Sequence, residues 1–277
     1  MLAIAIPAGF LSDVSHLRDK TVKVGVIGRA AAIFRVDEIL VYLDRREFER
    51  DGEFICQILR FMDVPQYLRK RLFDISSSLK YTGLLPPLRT PPHTVESKLE
   101  LAGRDRFREG VVVKSGRRGS LVDVGLGKLF PVSRHLPVGS RLVFRVIRRR
   151  GGVRVKPVSR SEVDVYWGYE VNFTCRGLKR SILDFKADLV IATSRYGDFI
   201  HDVYRELSER LISSRRTLVL FGSPEEGLFD MAKREGFDLR RYSDFIVNMT
   251  PFQGTKTIRT EEAVLISLSI INFLSHL

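Results

Sequence analysis

Three glycine-bearing segments stand where apolar runs end: Thr193-Ser-Arg-Tyr-Gly197 after 188–192, Phe221-Gly-Ser-Pro-Glu-Glu-Gly-Leu228 after 217–221, and Asn248-Met-Thr-Pro-Phe-Gln-Gly-Thr-Lys-Thr-Ile-Arg-Thr260 after 245–248. Segments at the C-terminal ends of strands are where open α/β sheets bind ligands. Gly222, Gly227 and Gly254 permit positive φ and a close backbone approach, so main-chain N–H and C=O groups can read a small molecule. The usual phosphate chemistry is missing: there is no Walker pattern, and Gly25-Val-Ile-Gly28 lacks the spacing of a dinucleotide turn. The histidines, His16, His93, His135, His201 and His276, are scattered, and no Cys/His pair has ligand spacing, so no metal is expected. Gly-x-Ser-x-Gly is absent, which argues against a Ser-His-Asp hydrolase. These loops suit a phosphate-free small molecule held largely by backbone.

A second kind of chemistry lies in the charge. The 277 residues carry 46 Lys and Arg against 33 Asp and Glu, a net charge of +13. Residues 101–160 hold 16 basic and 3 acidic side chains, while the rest of the chain holds 30 of each. An excess confined to one short segment is the footprint of a polyanion-binding surface, RNA or DNA. Arg117, Arg118, Arg148, Arg149 and Arg150 are its densest clusters.

Elements must position both features. Residues 2–6 read as a buried strand, Asp13 or Ser15 as the cap of a helix through Val24, Ile27 and Ala31, and 38–43 as a second strand. Residues 46–61 and 65–73 read as amphipathic helices. The stretch holding Ser76-Ser-Ser78, Gly83, Pro86-Pro87 and Pro91-Pro92 sustains neither helix nor central strand and marks a domain junction. From Gly110 the apolar period becomes two, with five short strands at 111–113, 120–124, 127–131, 141–147 and 153–157; a small barrel is expected, the OB-fold first. Strands at 171–174, 188–192, 217–221 and 245–248 then alternate with helices at 198–212, 227–234 and 260–274, which implies a mostly parallel sheet covered on both faces. The domain boundaries are therefore 1–88 and 162–277 for one α/β domain, with 89–161 as an inserted basic barrel.

The helix at 260–274 is apolar on nearly every side, and burial in a subunit interface is expected for it. Its apolar stretch, broken by Ser267, Ser269 and Asn272, is too short to span a membrane. The two cysteines, Cys56 and Cys175, demand no oxidising compartment, and the N-terminal run has no basic leader; a cytoplasmic protein is expected.

Several segments resemble a known family. Tyr166-Trp-Gly-Tyr169, Val219-Leu-Phe-Gly222, Val247-Asn248 and Gln253-Gly-Thr-Lys-Thr-Ile-Arg-Thr-Glu-Glu-Ala263 look like the SPOUT-class RNA methyltransferases. More narrowly they are similar to the archaeal and eukaryotic family of RNA uridine-N3 methyltransferases, whose human member is associated with spindles and centromeres. The resemblance extends through Arg108-Glu-Gly-Val-Val112 and Gly119-Ser-Leu-Val-Asp-Val-Gly125 of the insertion.

The resemblance implies an α/β SPOUT trefoil knot, in which the C-terminal strand and loop thread an earlier loop; general folding rules would not suggest one. It further implies S-adenosyl-L-methionine bound in the knot, a homodimer, and an RNA base as methyl acceptor. Thr193, Arg195, Gly222, Asn248, Met249 and Gly254 would line the cofactor site, although relatives tend to place the arginine where this chain has Tyr196. Pro224 replaces an acidic residue common in the wider class. Gly28-Arg29 through Val36-Asp37 resembles the first SPOUT motif, which gives Arg29 the acceptor side as its place. A guanidinium there can hold a phosphate or a deprotonated uracil without losing its own proton. Uridine N3 must also lose a proton, and Asp13, Glu226 and Glu261 are the candidate bases. Two other readings stay open: a 2′-O-ribose methyltransferase, and an RNA-binding protein that keeps the fold without catalysis.

Overall fold

The computed structural model describes residues 1–93, 106–149 and 152–277. In chain order the elements are β1 (Leu2–Pro7), α1 (Leu17–Ile33), β2 (Glu38–Tyr42), α2 (Glu49–Asp63), α3 (Gln66–Leu72), β3 (Arg106–Gly116), β4 (Gly119–Asp123), β5 (Leu129–Val132), β6 (Arg141–Arg149) and β7 (Gly152–Val158). They continue with β8 (Glu170–Thr174), α4 (Leu178–Phe185), β9 (Leu189–Phe199), α5 (Ile200–Ser213), β10 (Thr217–Leu220), α6 (Leu228–Arg234), β11 (Phe245–Asn248) and α7 (Thr260–Leu274). They form two compact units: Met1–Met62, Ser77–Pro87 and Tyr169–Leu277 make one, and Asp63–Ser76 with Leu88–Gly168 the other. Relative to boundaries at 88/89 and 161/162, the second unit also takes α3 and the residues up to Gly168.

The first unit is built on a parallel sheet of order β11-β9-β10-β1-β2-β8. Strand β1 lies in its interior, and Ala3 through Ile6 are fully buried, as an apolar run covered on both faces requires. Ala3, Ala5, Leu40 and Tyr42 pack on Leu178 and Ile182 of α4 and on Leu228 and Met231 of α6. Strand alternation turns Ile4, Ile6, Ile39 and Val41, also fully buried, to the opposite face.

Three local expectations are corrected here. Helix α1 starts after His16, not at a cap formed by Asp13 or Ser15, because Asp13 is drawn into an ion pair with Lys23. Residues 193–197 are not a free loop but part of the long strand β9. The ladder skips them: Ala192 faces Ile246 and Asp198 faces Val247, so five residues bulge out of register beside β11. Helix α4 is absent from the periodicity reading, and its cap explains why. Leu178 N–H and Lys179 N–H donate to the two carboxylate oxygens of Glu235, at 2.8 and 3.0 Å, from beyond the end of α6.

Helix α7 packs against α1 and α5. Val264, Leu268, Ile271 and Leu274 are buried within the chain, and Ser208 Oγ on α5 donates to Leu274 O at 2.8 Å. Leu265 and Phe273 remain exposed.

The second unit holds an antiparallel sheet of order β5-β4-β3-β6-β7. The long strand β3 serves two partners in turn: residues 106–111 pair with β6 and 111–116 with β4, with a register shift between Val112 and Lys114. The sheet curls until its edge strands β5 and β7 come into contact, which makes it barrel-like and nearly closed. Val112, Val122, Phe130, Phe144 and Val146 fill its interior. Leu68 of α3 packs on Val111. Arg141 bridges Glu109, at 2.5 and 2.7 Å, and Asp63, at 2.7 Å. Burial nevertheless pushes the Glu109 carboxyl up to about 7.

Candidate active site

At the C-terminal ends of β9, β10 and β11 the three segments singled out in the sequence surround one cleft of about 310 Å³. That is the size of a small-molecule site. The segments are tied to one another by side chains that donate to each other's backbone carbonyls. Asn248 Nδ2 donates to Arg195 O at 3.1 Å, and Asn248 Oδ1 accepts from Thr250 N–H at 3.0 Å. Arg195 reaches Lys256 O at 3.3 Å and the Tyr196 hydroxyl at 2.5 Å. Thr260 Oγ1 donates to Gly222 O at 2.9 Å, which fastens the start of α7 to the 221–228 turn. Thr193 Oγ1 donates to Leu220 O at 2.8 Å.

The 221–228 turn closes on itself. Ser223 N–H donates to Glu226 O, and Glu226 N–H donates to Ser223 Oγ, both at 3.0 Å. A Cβ at Gly222 would lie 3.0 Å from Glu226 O and 3.2 Å from Gly227 Cα, so the turn's own backbone would have to shift by a few tenths of an ångström to admit even alanine. The turn is also anchored from outside. Arg234 of α6 grips Glu226 with Nε at 3.0 and 3.2 Å and Nη2 at 3.0 Å, and donates through Nη1 to Asp44 O at 2.9 Å. Arg45 approaches the same carboxylate at 3.4 Å. This grip holds the Glu226 carboxyl below its ordinary range. At the start of the turn, the buried Tyr42 hydroxyl donates to Phe221 O at 2.7 Å.

Of the residues expected at a cofactor site, Thr193, Arg195, Gly222, Asn248 and Met249 all line the cleft, and Tyr196 lines it beside Arg195. Gly254 is not among the lining residues, and a Cβ there would meet open space. None of Gly222, Gly227 and Gly254 uses the positive φ that glycine permits. The residue of these loops that does is Phe252, at φ 59°. Sequence reasoning missed Arg45 and Tyr42, whose partners lie 181 and 179 residues away, and Arg234, which joins the nearby Glu226 to the remote Asp44 O. It also missed Ser267 of α7. That residue lines the cleft, and its buried Oγ has no hydrogen-bond partner among the described residues.

The acceptor-side expectations fall elsewhere. Arg29 is half-buried on α1, donates from Nη1 to Pro87 O at 3.1 Å, and does not line the cleft of its own chain. Of the three candidate bases, Asp13 and Glu261 both pair with the buried Lys23 and neither lines the cleft. Burial holds the Glu261 carboxyl above its ordinary range. Glu226 does line the cleft, but it is committed to Arg234.

In the barrel unit, Arg117 and Arg118 are exposed on the β3–β4 turn, and Arg148 is exposed near the end of β6, where the chain turns towards β7. Arg149 is the last residue of β6, and Arg150 lies outside the described residues.

A family model described as "Putative RNA methyltransferase" matches residues 1–271. The chain belongs to that family. Among its relatives, an uncharacterized protein of Halobacterium salinarum is 34% identical over 284 residues, which is 96% of each chain. A human protein named 28S rRNA (uridine-N(3))-methyltransferase is 32% identical over 98% of this chain and 77% of its own length. The Drosophila melanogaster protein of the same name is 33% identical over 98% of this chain, and this chain spans 61% of it. A solved SpoU methyltransferase, AviRb from Streptomyces viridochromogenes, overlaps loosely, with a TM-score of 0.37 at 9% identity over 98% of this chain and 58% of that one. In this methyltransferase-family chain no helix among the described residues is long and apolar enough to cross a membrane.

Proposed function

We propose that the chain is an S-adenosylmethionine-dependent RNA methyltransferase that acts on N3 of uridine in a structured RNA. The observation that carries this reading is the interlocked set of three loops around one cleft, in a chain whose family methylates RNA. The site suits the cofactor: the cleft is small-molecule sized, the glycine-bearing turn 221–228 forms part of its wall, and the orphaned Ser267 Oγ offers a hydrogen bond that no described protein group uses. The backbone of 221–228 and 248–250 would hold the nucleoside and amino-acid parts, with Met249 and Thr193 as wall. When bound, S-adenosylmethionine supplies an electrophilic methyl group.

The passage of 249–259 between β11 and α7, pinned at Lys256 O and Thr260 to the two earlier loops, supports a trefoil knot. The strand order of the barrel supports an OB-like fold, whose first and last hairpin loops commonly bind oligonucleotides. Here those hairpins carry the exposed Arg117, Arg118 and Arg148, which would give RNA a basic landing surface; Arg149 and Arg150 follow Arg148 in the sequence. The exposed Leu265 and Phe273 on α7, with Val22 and Ile33 on α1, support a homodimer; the cytoplasm is its proposed location. A second copy is also what would bring Arg29 of α1 to a cleft that Arg29 of the same chain does not line, so Arg29 keeps the acceptor side in this reading.

Calorimetry with S-adenosylmethionine, followed by mass spectrometry of nucleosides from methylated RNA, tests the proposal. Binding together with 3-methyluridine is expected. Ribose-methylated nucleosides would assign the 2′-O reading, and an absence of cofactor binding would leave a pure RNA-binding module. Arg29→Ala should keep cofactor affinity and lose about 100-fold or more in turnover, the scale of one transition-state donor.

A further inference from the structure

Phe252 combines two features that the fold itself does not need. Its side chain is 85% exposed, and its backbone sits in the left-handed region at φ 59°, where a bulky residue is disfavoured. It lies between Thr250 and Gln253, both in the cleft wall. Its ring stands 5.3 Å from that of Phe199, and Phe199 stands 5.4 Å from His201. The same rim carries the Arg195 guanidinium, 4.7 Å over the ring of the 68%-exposed Tyr196, with the exposed Lys256 beside it.

We infer that the rings of Phe252, Phe199 and His201 form a stacking platform for unpaired RNA bases at the mouth of the methyl-transfer cleft. The inference rests on the proposed cofactor site and goes beyond it. N3 of uridine lies on the Watson–Crick edge, so a uridine can be methylated only when it is unpaired or turned out of its helix. Either way bases lose their stacking partners, and aromatic faces beside cationic groups replace them whatever the sequence. The rim offers that composition through the Arg195 guanidinium and the exposed Lys256, although Asp202 Oδ1 stands 3.6 Å from His201 Nε2. A second copy of this chain, itself at net +13, fits a cationic rim less well than a polyanion does. Strain kept in an exposed residue beside a cleft is a mark of function.

Phe252→Gly separates the roles, because glycine accepts the left-handed backbone and removes only the ring. With a single-stranded oligouridylate as probe, Phe252→Gly should weaken binding about ten-fold, within the range of one base–aromatic stack. Phe252→Trp should restore it, and affinity for duplex RNA should not change. S-adenosylmethionine affinity should be unchanged in both variants. Unaltered oligouridylate binding by Phe252→Gly, in a protein that still binds the cofactor, would overturn the inference. So would conversion of a dimer to a monomer on sedimentation, which would make the rim a contact between copies. Failure of the unmodified protein to bind the cofactor would instead overturn the reading of the cleft.

Discussion

The α/β unit and the barrel unit carry their functional groups in opposite ways. In the barrel, the arginines sit on short hairpins whose turns are written by adjacent residues, and their number alone sets the field. In the α/β unit, charge outside 101–160 is balanced, and the cleft depends on contacts between segments tens of residues apart, such as Thr260 with Gly222 and Asn248 with Arg195. A charged surface is additive and tolerant of single losses. A cleft made of interlocked backbone is cooperative and fails at one position.

Gly222→Val should break this contrast most sharply. The added branches would meet Glu226 O and Gly227 and force the turn open. Overpacking of that size costs up to about 3 kcal/mol, so cofactor affinity should fall about 100-fold by calorimetry. RNA affinity measured at low salt should stay, because the barrel is untouched. Expulsion of the cofactor alone is not the whole cause: the unliganded turn should also lose its protection from amide exchange.

The converse experiment replaces Arg117, Arg118 and Arg148 with alanine. Each phosphate left without its arginine should lower the slope of log affinity against log salt by about 0.7–0.9, so the triple variant should fall by about 2–3 in slope and keep its cofactor affinity. An unchanged slope would remove the barrel hairpins from the RNA interface.

A smaller effect sharpens the account of the anchored turn. Glu226 is held below its ordinary range by Arg234, so the ion pair is present above the usual glutamate range and is lost as pH falls through the lowered value. Cofactor affinity should therefore weaken at acid pH. Glu226→Gln should flatten that dependence and weaken binding at neutral pH by no more than about five-fold, the upper scale for a part-exposed pair. The exchange Glu226→Arg with Arg234→Glu should recover part of the loss.

These contrasts also explain what can be read in the sequence. Strands such as β1 and β10 are legible because continuous apolar runs have few alternatives to a buried parallel strand. The glycine-bearing segments are legible as neighbours around one cleft because they follow such runs. The excess charge of the barrel is legible by counting. Illegible are the pairings that only the folded geometry sets, whether eight residues apart, as Arg234 on Glu226, or 179, as Tyr42 on Phe221 O; the commitment of Asp13 and Glu261 to Lys23 is of the same kind. The apolar helix α7 teaches the same lesson in reverse. Its all-round hydrophobicity has two outlets: α1 and α5 of the same chain cover Leu268 and Ile271, while Leu265 and Phe273 stay exposed.

Helix α4 has a consequence in time as well as in space. It has eight residues, too few to persist alone in water, and the carboxylate that caps it arrives 57 residues later, at Glu235. A ribosome adding about 5–20 residues per second needs roughly 3–11 seconds to cover that interval. For those seconds the nascent chain presents Leu178, Ile182 and Phe185 without the α6 residues that cover them. The newborn protein thus has a defined window of stickiness, and it closes when the end of α6 leaves the exit tunnel.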